Sequence, residues 1–279
     1  GKCMKTVDNG MPKPMISVIM GIYNEQNQSQ VMKAVESVLD QTYGEFEFII
    51  CDDGSEKRFY NWLEHYCRKD TRIRLLRKEQ NGGLAAALNA CLAEANGDYI
   101  ARMDADDLSK PDRFERQLDF LIPHPEYALL GCGAELIDEE GIWGRRIPTE
   151  TPQKRDFLWS SPFIHPTIMI RKAVLEELGG YETEAYAERT EDYDLFMRLY
   201  ASGYQGYNLQ ECLFQYREDR KAYTKRKYKY RINEAKVRYR GYRSLGILPG
   251  HFHNVIKPLI VGLIPVSWMQ KVRKKQFGK

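Results

Sequence analysis

Apolar positions in the first half of the chain switch between two spacings. Ile16-Ser-Val-Ile-Met20 is a short strand-type run, and Val31, Ala34, Val35, Val38 and Leu39 follow at helical spacing. Phe46 to Cys51 predicts a second strand ending at Asp52-Asp53-Gly54-Ser55, and Phe59, Trp62, Leu63, Tyr66 and Cys67 repeat the helical stripe. Ile73 to Leu76 predicts a third strand, and a helix from Leu84 to Ala95 follows the turn Asn81-Gly82-Gly83. Tyr99 to Met103 predicts a fourth strand, ending at Asp104-Ala105-Asp106-Asp107. Pro111, a residue favoured at the first helical position, opens a helix through Leu121. Such alternation predicts an α/β fold with a mostly parallel central sheet and helices on both faces. Beyond Pro125 the pattern is mixed. Tyr127 to Ile137 predicts one or two strands, Ala173 to Leu178 a short helix closed by Gly179-Gly180, and Asp192 to Ala201 a helix with Leu195, Phe196 and Leu199 inward. Tyr216 to Tyr242 reads as helical and highly charged.

Composition adds a core and an asymmetry. With 43% hydrophobic and 12% aromatic residues the chain is not disordered. Its net charge of +3 conceals a split: residues 1–216 hold 24 Lys+Arg against 36 Asp+Glu, and residues 217–279 hold 18 against 3. An acidic body of −12 thus carries a basic tail of +15, which points to a polyanionic partner for the tail. The expected organisation is a preamble over 1–14, a catalytic domain over 15–216 and a basic helical extension over 217–279. Six cysteines form no C-x-x-C pair and read as free thiols. No apolar run of signal-peptide length occurs near the N-terminus, so a reducing, cytosolic setting is expected. No run reaches the roughly 18 apolar residues of a membrane span.

Chemistry concentrates at predicted strand ends, where open α/β sheets bind ligands. Tyr23-Asn24-Glu25, Asp52-Asp53 and Asp104-Ala105-Asp106-Asp107 each read singly as turn residues, but three successive ones would converge on one cleft. Asp104 and Asp106 share a face if strand geometry continues, and their repulsion calls for a hard divalent ion, Mg²⁺ or Mn²⁺. Neither G-x-G-x-x-G nor G-x-x-x-x-G-K-[ST] is present, so the metal would hold a diphosphate, assisted by helix N-terminal amides after Gly82-Gly83. Thr190-Glu191-Asp192-Tyr193-Asp194 is by itself an acidic helix start; beside a metal cluster it supplies a carboxylate base. His165 reads equally as an acceptor-pocket residue and as a structural histidine.

Taken together, Ile16-Ser-Val-Ile-Met-Gly-Ile-Tyr-Asn-Glu25, Cys51-Asp-Asp-Gly-Ser55, Asn81-Gly-Gly-Leu-Ala-Ala-Ala-Leu-Asn89, Gly97-Asp-Tyr-Ile-Ala-Arg-Met-Asp-Ala-Asp-Asp107 and Glu191-Asp192 resemble the family 2 glycosyltransferases. These are inverting enzymes of GT-A fold, and the resemblance is collinear over about residues 15–216. It implies that Ile22, Tyr23 and Glu25 hold a nucleotide's base and ribose, with Asp53 accepting from a uracil-like N–H. It places Asp104 with Ala105 near the ribose or a metal water, Asp106 on the metal, and Asp192 as general base with Glu191 beside it. Arg102 and the segment from Asn81 to Asn89 would line the donor pocket, although Leu88 stands where many relatives place an arginine. The Q-x-x-R-W motif of processive synthases is missing after Asp192, so addition of one sugar is expected.

The implied substrate is a nucleotide sugar, with UDP-galactose, UDP-glucose or UDP-GlcNAc favoured by Asp53 and dTDP-rhamnose left open. The implied acceptor is a glycan or lipid-linked hydroxyl in cell-surface polysaccharide synthesis. Basic residues from Arg217 to Arg243, an apolar stretch from Ile247 to Trp268, and Lys271, Arg273, Lys274 and Lys275 make the pattern of an in-plane membrane anchor. A peripheral place at the cytoplasmic face of the inner membrane is the expectation. The rival readings are a non-catalytic nucleic-acid or glycan binding module, because tyrosines interleave the basic residues, and a nucleotidyltransferase. Intact Asp106 and Asp192 count against the first, and the missing Gly-rich loop counts against the second.

Overall fold

A computed structural model describes residues 12–221 and 224–277, with side chains through residue 272. Cys3, most of the expected preamble, and the side chains of Arg273, Lys274 and Lys275 lie outside the described residues. Four strands, β1 (Ile16–Ile22), β2 (Phe46–Asp52), β3 (Ile73–Arg77) and β4 (Tyr99–Arg102), alternate with α1 (Gln28–Leu39), α2 (Lys57–Cys67) and α3 (Leu84–Glu94). Then come β5 (Leu108–Ser109), α4 (Arg113–Leu121), β6 (Leu129–Asp138), β7 (Gly141–Arg146), β8 (Met169–Arg171) and α5 (Lys172–Glu177). The chain continues through α6 (Glu191–Ala201), β9 (Gly206–Arg217), α7 (Tyr228–Leu245), α8 (Phe252–Leu263) and α9 (Val266–Phe277).

One sheet carries everything. Its order is β3-β2-β1-β4-β8-β6-β9-β5, with β7 paired on β6. β3, β2, β1 and β4 are parallel, as are β6 and β9, while β8 joins the two halves by pairing antiparallel with β4 and β6. Period-2 alternation divides the side chains between two cores. Val18 and Met20 of β1 and Phe48 and Ile50 of β2 meet Val31, Val35 and Phe114 on one face. Ile19, Ile49 and Cys51 meet Leu88, Phe196 and Val237 on the other. The α/β sheet with helices on both faces is therefore present, and its first four strands stand where the spacing predicts them.

Two expectations need correction. Pro111 does not open α4; Asp112 caps that helix, and the Pro111 carbonyl accepts the Thr42 N–H at 2.8 Å instead. Tyr216 and Arg217 do not begin a helix but end β9, a twelve-residue strand. The helices after β9 are tied to the rest of the chain by one buried arginine. Arg238 of α7 is 4% exposed and donates to the carbonyls of Leu158, Trp159 and Asn254, to Tyr242 Oη and to Glu234. A guanidinium buried with this many acceptors is a fixed joint between α7, α8 and the body.

Candidate functional site

β1, β2 and β4 are parallel neighbours, so the loops after Ile22, Asp52 and Arg102 leave from one edge of the sheet. Asn24 ties the first two loops together. Its φ of 43° is the left-handed conformation that asparagine tolerates. Its N–H donates to Ser55 Oγ at 2.9 Å, and its Oδ1 accepts the Glu56 N–H at 2.8 Å. Ile22 is buried, Tyr23 stands half in solvent, and Glu25 faces the β4 loop. Burial raises the Glu25 carboxyl above its usual range, and the charges of Asp106 and Asp104 raise it further.

Asp53 is a staple between β2 and the start of α3. Its Oδ1 accepts the Gly82 N–H at 2.9 Å, its Oδ2 accepts the Gly83 N–H at 2.8 Å, and Lys78 Nζ lies 3.2 Å from Oδ1. Asn81 adds a bond from its amide to the Asp53 carbonyl at 3.2 Å. Gly54 allows this closure, because at φ +75° a Cβ would sit 2.5 Å from the Asn81 nitrogen. The carboxylate that the resemblance gives to a nucleobase thus shapes the loop around the base position. Asp53→Ala leaves two amides and Lys78 without their acceptor. It should cost about 2–3 kcal/mol of stability, read by denaturant unfolding; an unchanged midpoint would contradict the staple.

The β4 end is built on arginine. Arg102 is fully buried and donates from Nη1 to the carbonyls of Ile19 at 3.2 Å and Met103 at 2.9 Å. Its Nη2 holds Asp104 Oδ1 at 2.9 Å, and its Nε donates to His165 Nε2 at 3.1 Å. Because arginine only donates, His165 Nε2 is the bare nitrogen of a neutral ring. Burial and the Arg102 charge keep that ring's pKa well below the usual imidazole value. Tyr181 Oη donates to the same nitrogen at 2.7 Å. His165 and Arg102 therefore form one scaffold under Asp104. Below it, Arg113, also fully buried, donates to the Arg102 carbonyl at 2.9 Å, and burial holds its pKa down at about 10.

Asp106 and Asp107 are held from an unexpected direction. Arg217 at the end of β9 donates from Nε to the Asp106 carbonyl at 2.8 Å, and its N–H donates to Asp107 Oδ1 at 2.8 Å. The basic segment that begins at Arg217 thus reaches the loop after β4. Burial, then the charge of Asp104, raises the Asp106 carboxyl above its usual range. Asp107 is raised well above that range by the same two causes, and its Oδ2 is buried without a partner. Ala105, between Asp104 and Asp106, is packed in the core.

Across the cleft, α6 begins with Glu191 and Asp192. Burial, with the neighbouring Glu191 charge, pushes Asp192 up to about 6. Arg189, just before the helix, has φ 73° and lies over the Tyr230 ring of α7 at 5.4 Å. Glu191 lines a cavity of about 310 Å³ between residues 81–85 and residues 182–188. Asn89 does not face this cavity; its amide exchanges two hydrogen bonds with the Tyr181 backbone, at 2.9 and 2.8 Å. Leu88, likewise, is fully buried in the core.

A divalent ion fits the chemistry of the β4 end. The charges of Asp106 and Asp104 raise the Glu25 carboxyl and that of Asp104 raises Asp106, a repulsion that a cation would relieve. Among the described residues no group of three or more His, Cys, Asp or Glu is placed to hold a metal ion by itself. Such a partial set suits an ion that completes its shell with water and phosphate oxygens.

The model of glycosyl transferase family 2 matches residues 17–179. The chain belongs to this family. It is 39% identical over 264 residues to EpsE of Bacillus subtilis (strain 168), covering 94% of each chain. It is 31% identical over 268 residues to an Escherichia coli UDP-Gal:alpha-D-GlcNAc-diphosphoundecaprenol beta-1,3-galactosyltransferase, covering 94% of this chain and 96% of that one. Among solved structures, S. aureus TarS 1–349 in complex with UDP-GlcNAc superposes with a TM-score of 0.66 at 18% identity, over 94% of this chain and 80% of that one. A longer TarS chain is spanned to only 43%. The mannosyltransferase PcManGT from Pyrobaculum calidifontis, in complex with GDP-Man and Mn2+, gives 0.60 at 17% identity, over 95% and 80%. The fold is GT-A and the chain is a glycosyltransferase. Arg217, Lys78 and Tyr181 are the site residues that sequence reasoning missed. Only the charge of the first gave any signal.

Proposed function

We propose that this glycosyltransferase moves one sugar, with inversion, from a UDP-sugar to a hydroxyl of a glycan or lipid-linked acceptor in cell-surface polysaccharide synthesis. The observation that carries the reading is Asp192. A carboxylate whose pKa is pushed up to about 6 stands at a helix start, close enough to the β4 end that Arg102 acts on it and that it and Asp104 both act on Tyr181. A base poised near neutrality is matched to abstracting a hydroxyl proton. The Escherichia coli relative, named for UDP-Gal and a diphosphoundecaprenol-linked acceptor, supports a UDP-sugar and a lipid diphosphate acceptor, and TarS with UDP-GlcNAc is in line with the donor.

In this reading Asp192 takes the acceptor's proton as its oxygen attacks the anomeric carbon. The bond to the nucleoside diphosphate breaks on the opposite face, which inverts the centre. Asp106 and Asp104 would hold Mn²⁺ or Mg²⁺, which supplies charge neutralisation at the departing diphosphate. Arg102 orients Asp104, Arg217 fixes the loop of Asp106, and the loop stapled by Asp53 shapes the base pocket. Glu191 stands beside the base, facing the cleft. His165 reaches the acceptor side only through Tyr181.

The membrane-surface place is part of the proposal. Phe252, Ile260, Leu263 and Trp268 of α8 and α9 are each more than half exposed, Leu263 at 71%. No single described helix is long and apolar enough to cross a membrane; α8 and the start of α9 reach that length only as a pair bent by 113°. An in-plane attachment at the cytoplasmic face suits these helices. A screen of UDP-, dTDP- and GDP-sugars for Mn²⁺-dependent donor hydrolysis tests the donor. The UDP-sugars should turn over fastest, and a clear preference for a dTDP-sugar would overturn that choice.

A further inference from the structure

Outside the site, a concavity with a volume of about 1330 Å³ lies between α7 and α8. That exceeds the roughly 300–1,000 Å³ typical of small-ligand pockets. Its floor is apolar, with Ala235 and Val255 at 8% and 5% exposure. Tyr228, Tyr239 and Phe252 form the walls, and Ile232 is half open to solvent beside them. Three cations, Lys236, Arg240 and Arg243, rim it, and no acidic residue lines it. Among the described residues none of the three enters a salt bridge, although α7 elsewhere pairs its arginines with Glu234. An apolar trough edged by cations that no carboxylate neutralises complements an amphiphile with an anionic head.

The groove also shares a wall with the active-site cleft. The turn Ala185–Ala187 presents Tyr186 to the groove, while Ala185 and Glu188 line the cavity beside Glu191. This wall is clamped from α7. Arg240 lies over the Tyr186 ring at 4.4 Å, Asn233 donates to the Ala185 carbonyl at 2.9 Å, and Tyr230 Oη reaches Glu188 at 3.2 Å. A chain in the groove would lie against the same turn that lines the cavity beside Glu191.

The geometry points to this groove as the seat of the acceptor's lipid: the apolar chain lies between α7 and α8, and its phosphate or diphosphate rests on Lys236 and Arg243. The inference rests on the transferase reading and gives its acceptor a chemical class and a place. The occupant is a single lipid phosphate rather than bilayer lipid in bulk. A concave trough encloses one chain, whereas the protruding Leu263 and Trp268 are shaped to meet a surface.

The test titrates the full chain with farnesyl diphosphate, with farnesol and inorganic diphosphate as its separate halves. Saturable one-to-one binding of farnesyl diphosphate is expected, at least tenfold tighter than either half. The double variant Lys236→Gln, Arg243→Gln should weaken it at least tenfold and Ile232→Gln several-fold, with UDP affinity in both within twofold of the parent. Affinity for farnesyl diphosphate unchanged in both variants would overturn the proposal. So would farnesyl diphosphate binding that is no tighter than that of farnesol or inorganic diphosphate alone. Failure of the transferase reading would show separately, as absent UDP binding by the parent chain.

Discussion

Asp192→Asn should lower kcat about 10³-fold, within the roughly 10²–10⁴-fold that a positioned base contributes, while UDP affinity stays within twofold. Asparagine keeps the shape at the start of α6 but cannot take a proton. The parent's kcat/KM should carry the same signature in pH. Asp192 titrates at about 6, so the ionised base is lost below that value, and the rate should fall about tenfold per pH unit there. Stability moves the opposite way. A carboxyl whose folded pKa is raised is penalised when ionised, so the asparagine variant should melt higher than the parent above pH 6. That gain should disappear as the pH falls toward the unfolded carboxyl's value. A variant that lost activity and stability together at pH 7 would mark Asp192 as structural.

Asp106→Asn should remove the Mn²⁺-dependent part of UDP binding, seen by calorimetry with and without the ion. Donor turnover should fall at least 10³-fold, the scale on which loss of charge stabilisation at a reacting centre is felt. The removed charge belongs to a group whose burial and neighbour, Asp104, already disfavour ionisation. Without metal the variant should therefore be no less stable than the parent, which separates a ligand from a structural carboxylate. UDP binding that ignores Mn²⁺ in the parent would end the assignment.

The parallel half of the sheet was legible because its strands are buried on both faces and its helices carry one apolar stripe each. The rest was harder for local reasons. β5 is two residues long and β8 three, too short for a period to show. β9 mixes Asn208, Gln210, Glu211 and Gln215 into its run, and its register against β6 shifts at Cys132 and Gly133, so alternation breaks down. Among site residues, the carboxylates could be named from their spacing at strand ends. Their supports could not. Arg217 reaches Asp106 from 111 positions away, and Asp53 meets Gly82 only because α3 folds back over β2. Asn89 shows the converse: a polar residue inside a motif, spent on holding Tyr181 in place.

The backbone at Arg189 has a consequence for anyone shortening this chain. An arginine at φ 73° stores roughly 1–2 kcal/mol of steric strain immediately before the helix that carries the base. Part of what holds it there is the Tyr230 ring, which belongs to α7. Removing the C-terminal helices to obtain a more tractable fragment would therefore let the spring behind Asp192 relax. The truncated chain should then show a loosened start to α6, read as faster amide hydrogen exchange at residues 190–194.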